Sequence, residues 1–228
     1  MQYFWDWAVL PLLRDRGVKQ VLEIGASQGG NTVRILRGLA GVRVTVVDPC
    51  LDADLVARFK DEPAVTVWGG RSLEVLPFLQ GPYDAILIDG DHNYYTVCNE
   101  LRLIADRGML SPGGIILFHD VGEPYARRDF YYEPERIPDQ AKAADKPHGV
   151  LTAIEKFREE SPHHWIWLEW GAEHGLGCLC DPRSRWDRYA LWAKTCYWRN
   201  IRWRNRLLRL TGLKQPDRIT WGKQRPPM

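Results

Sequence analysis

The sequence has no long apolar run, no disulfide framework and almost no net charge. No stretch approaches the roughly 18 apolar residues that span a membrane, and the first residues, with Asp6 and no basic cluster, do not resemble a signal peptide. Five cysteines, an odd number without a framework spacing, indicate reduced thiols. A formal charge of +2 argues against a nucleic-acid-binding protein. These absences predict a cytoplasmic globular protein.

What is present predicts an α/β domain. The 228 residues, 45% of them hydrophobic, suffice for one well-buried core. Short β-branched runs alternate with segments of helical periodicity, which favours right-handed crossovers and a parallel sheet. We predict strands at 21–24, 42–47, 65–68, 83–88, 115–118, 165–170 and 175–180, and helices at 3–16, 31–39, 52–60, 73–79, 94–106 and 149–159. Pro11 is expected to interrupt the first of these helices, Ser72 to cap the helix at 73–79, and residues 111–114 to form a turn. The fold class is a doubly wound, mostly parallel, Rossmann-like seven-stranded sheet with an antiparallel edge.

The first predicted strand breaks into a glycine-rich turn and then a helix. Gly25, Gly29 and Gly30 allow the backbone to approach a ligand closely, although the middle position of the dinucleotide fingerprint is Ser27. The second strand ends in Asp48, at the distance where such folds place a carboxylate for ribose hydroxyls. This stretch predicts a cofactor-binding corner.

Polar side chains end four of the predicted strands: Glu23 before Gly25, then Asp48, Asp89 and the pair 119–120. Ligands of open α/β sheets bind at the carboxyl ends of the strands, so these side chains are expected to converge. Two of these residues have alternative structural roles: Asp89 could cap the next helix, and Asp120 could start a loop.

Two segments fall outside the alternating pattern. Residues 121–147 are rich in proline, charge and aromatic side chains, and we interpret them as a lid over the site, since disordered linkers are usually poor in aromatics. We predict that residues 183–228 form a C-terminal helix and tail that is basic and rich in tryptophan. Between 183 and 214 there are ten Lys and Arg against one acid. The domain proper is therefore 1–182. The tail could pack on the domain or a partner subunit, bind an anionic membrane surface or contact nucleic acid.

With these motifs in view, the chain resembles the class I S-adenosylmethionine-dependent methyltransferases. Their ExGxxxGG motif is matched by Glu23, Gly25, Gly29 and Gly30. The resemblance implies S-adenosyl-L-methionine as cofactor, with the glycine turn at its methionine part, Asp48 at the ribose and the turn after strand three near the adenine. The residues implied in cofactor binding are Glu23, Gly25, Ala26, Ser27, Gly29, Asn31, Thr32, Asp48, Pro49, Gly70, Arg71, Ser72, Asp89 and Gly90.

The stretches IDGDHNYYTV and GGIILFHDV look like the metal-dependent branch that methylates macrolide and aminocoumarin sugars, which is also similar to the cephalosporin hydroxylase-type proteins. This resemblance implies that Asp89, His119 and Asp120 hold a divalent metal, normally magnesium. His119 replaces the usual carboxylate, and a nitrogen ligand suits manganese, iron or zinc better. His92 matches a proposed general base, so His92 and Asp89 are the predicted catalytic residues.

The expected function is metal-assisted O-methylation of a sugar or glycosylated metabolite, with a small-molecule hydroxyl acceptor as partner and no nucleic acid. A homo-oligomer is expected, and peripheral membrane contact through the tail is an option. The alternatives are a metal-independent small-molecule methyltransferase, a non-catalytic scaffold whose tail binds a partner, and an iron- or redox-dependent hydroxylase-like enzyme.

Overall fold

The computed structural model describes residues 1–50 and 53–182. Seven strands lie in one sheet: β1 (Gln20–Ile24), β2 (Arg43–Asp48), β3 (Val65–Gly69), β4 (Tyr83–Ile88), β5 (Leu110–His119), β6 (Ile166–Trp170) and β7 (Leu176–Cys180). Their order is β3-β2-β1-β4-β5-β7-β6. The five strands from β1 to β5 are parallel, and β7 runs antiparallel to both β5 and β6. The predicted seven-stranded sheet with an antiparallel edge is confirmed.

The helices alternate with the parallel strands. They are α1 (Leu10–Arg16), α2 (Gly30–Gly38), α3 (Ala53–Phe59), α4 (Ser72–Val75), α5 (Tyr94–Asp106) and α6 (Val150–Glu160). Alternate strand residues, such as Ile86 and Ile88, pack in one buried cluster with α4, α5 and α6, while the intervening Ala85 and Leu87 are also fully buried. Both faces of the sheet are therefore covered, as the near-continuous apolar runs of a parallel sheet require.

The register of the central strands places the predicted site residues side by side. Ile24, the last residue of β1, pairs with Ile88 of β4, and Ile88 pairs with Phe118 of β5. The residues that follow these strands, Gly25 and Asp89 among them, therefore emerge at one edge of the sheet.

Three local predictions are wrong. Pro11 does not interrupt the first helix: it lies in the first turn of α1, where no backbone N–H is needed, and a 3-10 turn (Gln2–Phe4) and a π-helical stretch (Trp5–Val9) precede it. The turn expected at 111–114 is a bulge inside β5, whose pairing with β4 shifts between Tyr83 and Ala85. Ser72 does not cap the following helix but is its first residue, and that helix changes to a 3-10 turn at Leu76–Phe78.

None of the helices in the described ranges is long and apolar enough to cross a bilayer. The basic tail predicted at 183–228 lies outside the described residues, as does residue 52, the first of the helix predicted at 52–60.

Candidate active site

Gly25 lets the ends of β1 and β4 come into direct contact. Its backbone is left-handed, with φ of +81°, and a Cβ placed on it would lie 2.4 Å from the carbonyl oxygen of Asp89. The two strand ends are joined there, because the amide of Asp89 donates to the carbonyl of Ile24 at 2.9 Å. Only glycine combines this backbone angle with this approach.

Asp48 holds the glycine-rich turn in shape. Its Oδ2 accepts hydrogen bonds from the backbone amides of Ala26 and Ser27, at 2.8 and 2.7 Å, and its Oδ1 accepts from the amide of Cys50 at 2.8 Å. The side chain is buried. The sequence predicted a ribose ligand at Asp48; the structure gives the carboxylate a turn-forming role, and its contact with ribose stays a prediction.

Asp89, His92 and Asp120 form a compact cluster beside this turn. One possible ligand atom of each lies within 4.8 Å of the others. Nε2 of His92 is 2.9 Å from Oδ2 of Asp120. Asp89 does not cap α5, since that position belongs to Asn93, whose side chain accepts from the amide of Thr96 at 2.8 Å.

Asp120 has a backbone conformation that few side chains adopt. Its φ is +62°, in the left-handed region, and the residue is 2% exposed. Asp and Asn tolerate this region better than other non-glycine residues, and strained positions of this kind gather at functional sites. The backbone aims the Asp120 carboxylate at the two histidines.

His119 lies between the two carboxylates. Its Nδ1 is 2.9 Å from Oδ2 of Asp120 and 3.2 Å from Oδ1 of Asp89. Burial works against a positive charge here, but the hydrogen bonds to Asp120 and Asp89 raise the pKa of His119 to about 9. Burial opposes ionisation of Asp120 as well, yet hydrogen bonds from His119 and His92 hold its pKa well below the usual range. Two carboxylates and two imidazoles are therefore in contact at this edge of the sheet.

The glycine turn and the cluster face the same cavity of about 430 Å³, a volume typical of small-molecule sites. Eight of the residues predicted for the site line it: Gly25, Ala26, Ser27, Asn31, Asp89, His92, His119 and Asp120.

Part of the chain is similar to a known protein family. Residues 22–121 match the family model described as a methyltransferase domain. That range begins in β1 and ends just after Asp120, so it contains both the glycine turn and the cluster. The glycine turn and the cluster therefore lie in a stretch that is similar to methyltransferase domains, and this stretch covers less than half of the chain.

Solved methyltransferase structures share the fold. PaMTH1 of Podospora anserina, bound to S-adenosylhomocysteine, aligns with a TM-score of 0.55 at 22% identity, over 75% of this chain and 74% of that one. TomG of Streptomyces achromogenes, an O-methyltransferase in complex with S-adenosylmethionine, gives 0.54 at 16% identity, over 76% and 77%. An O-methyltransferase of Bacillus cereus gives 0.52 at 20% identity, over 75% and 78%. No curated protein matches the sequence significantly.

Several residues predicted to bind the cofactor lie outside the wall of the cavity. They are Glu23, Gly29, Thr32, Asp48, Pro49, Gly70, Arg71, Ser72 and Gly90. Arg71 pairs with Glu133, its Nε lying 2.6 Å from Oε2 of that residue. Their contacts with the cofactor stay predictions.

Glu23 supports the glycine turn from below and does not line the cavity. It is fully buried beneath the glycine turn, and the hydroxyl of Thr32 donates to its Oε2 at 2.5 Å. Burial raises the pKa of Glu23 to about 7 although the bond from Thr32 lowers it. The pair ties β1 to the first turn of α2.

Sequence reasoning did not name every residue of the cavity wall. The additional ones are Met1, Gln2, Gln28, Arg58, Tyr125, Tyr132 and His174, whereas Gly30, also in the wall, belongs to the predicted glycine-rich turn. Tyr125 and Tyr132 belong to segment 121–147, whose aromatic-rich composition had indicated a lid over the site. Nothing in the sequence indicated His174. It reaches the site from the β6–β7 turn, where its carbonyl accepts from the amide of Gly122 at 2.6 Å.

Glu100 is a buried acid of the methyltransferase fold that lies outside this cavity. Neither of its oxygens has a well-formed hydrogen bond among the described residues. Burial raises its pKa from 4.5 to about 8; the hydroxyl of Ser72 lowers the pKa and the charge of Asp91 raises it. Because the folded state binds this proton more tightly than the unfolded state, stability is full below pH 4.5 and falls as the pH rises towards 8.

We therefore expect Glu100→Gln to stabilise the protein at pH 8.5 and to change little at pH 4.5. At about 1.4 kcal/mol per pKa unit, the gain at high pH is a few kcal/mol. Urea unfolding at the two pH values measures it. Glu159→Gln, on the exposed surface of α6, controls for the loss of one negative charge. Equal effects of the two substitutions at pH 8.5 would contradict a buried, mostly neutral Glu100.

Proposed function

We propose that this methyltransferase transfers the methyl group of S-adenosylmethionine to a hydroxyl oxygen of a sugar or glycosylated small molecule, assisted by a divalent metal ion. The observation that carries the proposal is the position of Asp89, His92 and Asp120 in the cavity that the glycine turn also lines. The turn would hold the methionine part of the donor, and the cluster would hold the acceptor.

The two carboxylates of the cluster are suited to hold a metal ion. Asp89 and Asp120 would supply oxygen ligands, and one possible ligand atom of each lies within 4.8 Å of the other and of a ring nitrogen of His92. Carboxylate oxygens suit magnesium and manganese, and His92 is then free to take up a proton. When bound, such an ion lowers the pKa of a coordinated hydroxyl. His119, in contact with both carboxylates, would orient them as an outer partner.

The chain's own residues would align the reacting atoms. Methyl transfer from a sulfonium is an in-line displacement, so fixing the acceptor oxygen against the methyl group is worth up to roughly 7–11 kcal/mol. His92 has one nitrogen on Asp120 and the other, Nδ1, buried without a hydrogen-bond partner. With Nε2–H directed at Asp120, Nδ1 carries the lone pair that can accept the hydroxyl proton.

The test is methyl transfer by the full chain to a methyl glycoside with vicinal hydroxyl groups, before and after treatment with a chelator. We expect activity to disappear on chelation and to return with Mn²⁺. Calorimetry with S-adenosylhomocysteine, with and without Mn²⁺, measures donor-site binding independently of the acceptor. Activity that survives chelation would instead indicate a metal-independent methyltransferase in which Asp120 orients His92. A chain that does not bind S-adenosylhomocysteine would overturn the proposal altogether.

A further inference from the structure

Three aromatic rings of segment 121–147 surround His92 at the cavity. We call Tyr125, Phe130 and Tyr132 the aromatic platform. The ring centroids of Tyr125 and Tyr132 lie 4.9 and 5.5 Å from that of His92, and Phe130 meets Tyr132 edge to face at 5.2 Å. Tyr125 and Tyr132 form part of the cavity wall. The platform therefore adjoins the group that we assign as the base.

The platform leaves apolar surface open to solvent. Phe130 is 46% exposed and Tyr132 is 64% exposed. Large apolar side chains that stay exposed beside a polar cavity are typical of binding sites, because a ligand can remove that surface from water.

A buried carboxylate fixes the segment that carries the platform. Oδ1 of Asp129 accepts from the backbone amides of Tyr94 and Gly149, each at 2.7 Å, and its Oδ2 contacts the hydroxyl of Tyr131 and Nδ1 of His148, at 2.5 and 2.6 Å. These bonds tie the segment to the first turns of α5 and α6.

The backbone adds a direct link to the site. The amide of Phe130 donates to the carbonyl of His92 at 2.9 Å. Glu133, three residues on, pairs with Arg71. The backbone that carries the rings is thus tied to the site by these bonds, which lowers the cost of ordering the segment when a ligand binds.

Two carboxylates lie on the side of the cavity next to the platform. Asp89 and Asp120 present two carboxylates, whereas Arg58 is the single Lys or Arg in the cavity wall. The guanidinium of Arg58 donates to the carbonyl of Gln28 at 2.7 Å, on the side of the glycine turn. The N-terminal ammonium of Met1, also in the cavity wall, donates to Oδ2 of Asp89 at 3.2 Å. The side next to the platform therefore offers carboxylate acceptors for hydroxyl groups together with apolar ring faces.

We propose that the aromatic platform binds an uncharged sugar ring by its C–H face, with the hydroxyl-bearing edge of that ring directed at Asp89, His92 and Asp120. The inference rests on the proposed function and adds the residues that select the acceptor. Aromatic rings carry a negative face that attracts polarised C–H groups, and carboxylate and imidazole groups bind the hydroxyls of the same ring.

The experiment measures methyl transfer to the methyl glycoside by Tyr132→Ala and Phe130→Ala, with Mn²⁺ present. We expect KM for the glycoside to rise about 3- to 10-fold in each variant, with kcat and the affinity for S-adenosylhomocysteine nearly unchanged. Tyr132→Phe keeps the ring and should restore the wild-type KM. Phe78→Ala is the matched control, because Phe78 is 72% exposed and is not part of the cavity wall.

Two acceptors complete the test: the uronate of the same glycoside, which adds a negative charge, and catechol, a planar diol. We expect both to be poorer substrates than the neutral glycoside. Unchanged KM in both alanine variants, or a preference for the uronate or for catechol, would overturn the platform proposal while leaving methyl transfer intact. Failure of the wild type to methylate any of the three acceptors would instead count against the proposed function.

Discussion

Gly25→Ala is expected to abolish binding of S-adenosylhomocysteine. The new Cβ would lie 2.4 Å from the carbonyl oxygen of Asp89 and 2.5 Å from Cα of Gly90. Both atoms belong to backbone that is hydrogen-bonded to β1, so the end of β1 or of β4 must move. Either movement displaces the glycine turn from the cluster, and we expect at least a hundredfold loss of affinity in calorimetry.

Gly17→Ala is the matched control for this substitution. Gly17 also has a left-handed backbone, with φ of +63°, but a Cβ there would meet nothing within 4 Å. Both variants carry the conformational cost of alanine in this region, about 1–2 kcal/mol, so thermal unfolding should register strain in both. Loss of cofactor binding in Gly25→Ala alone identifies the close approach to Asp89 as the cause. Equal affinity in the two variants would contradict it.

The strands whose own residue pattern identifies them could be predicted from the sequence. The β-branched runs at β1, β2 and β4 are buried on both faces, so their length and composition identify them without knowledge of their neighbours. Because parallel strands bring their carboxyl ends to one edge, the meeting of Gly25, Asp89 and Asp120 followed from the order of the strands alone.

The errors arose where long-range contacts override local preference. The Ser-Pro-Gly-Gly stretch has turn composition, yet the pairing of β5 with β4 continues across it as a bulge. Asp48 occupied the expected position, but a sequence does not show that its carboxylate accepts the amides of Ala26 and Ser27. His174 reaches the cavity only because the β6–β7 turn bonds to Gly122, which lies more than fifty residues earlier in the chain.

The two histidines of the site were both found from the sequence, but their positions relative to the carboxylates were not. The sequence placed His119 among the metal ligands and gave His92 the role of base. The structure groups His92 with Asp89 and Asp120 within 4.8 Å, and it sets Nδ1 of His119 between the two carboxylates. Which imidazole contacts an ion depends on rotamers and on the left-handed backbone at Asp120, and neither is encoded in a short motif.

Asp120→Asn is expected to remove methyl transfer while leaving the fold and the donor site intact. Oδ2 of Asp120 is the shared partner of His92 and His119, at 2.9 Å from a ring nitrogen of each. An amide of the same shape lacks the charge that orients His92 and attracts a cation. Asparagine also tolerates the φ of +62° as well as aspartate does, so backbone strain is unchanged. We expect kcat to fall by about 10²- to 10⁴-fold.

Asp91→Asn separates this effect from a general loss of negative charge at the end of β4. Oδ2 of Asp91 accepts from the side chains of Asn93 and Thr96, at 2.6 and 2.8 Å, and the carbonyl oxygen of an asparagine can accept both bonds. We expect this control to keep near-wild-type turnover, and both variants to bind S-adenosylhomocysteine like the wild type. Mn²⁺ titration should show weakened binding in Asp120→Asn only. If Asp120→Asn keeps its Mn²⁺ affinity and its turnover, Asp120 is neither a metal ligand nor the residue that positions His92, and the left-handed backbone at its position serves only to connect β5 with segment 121–147.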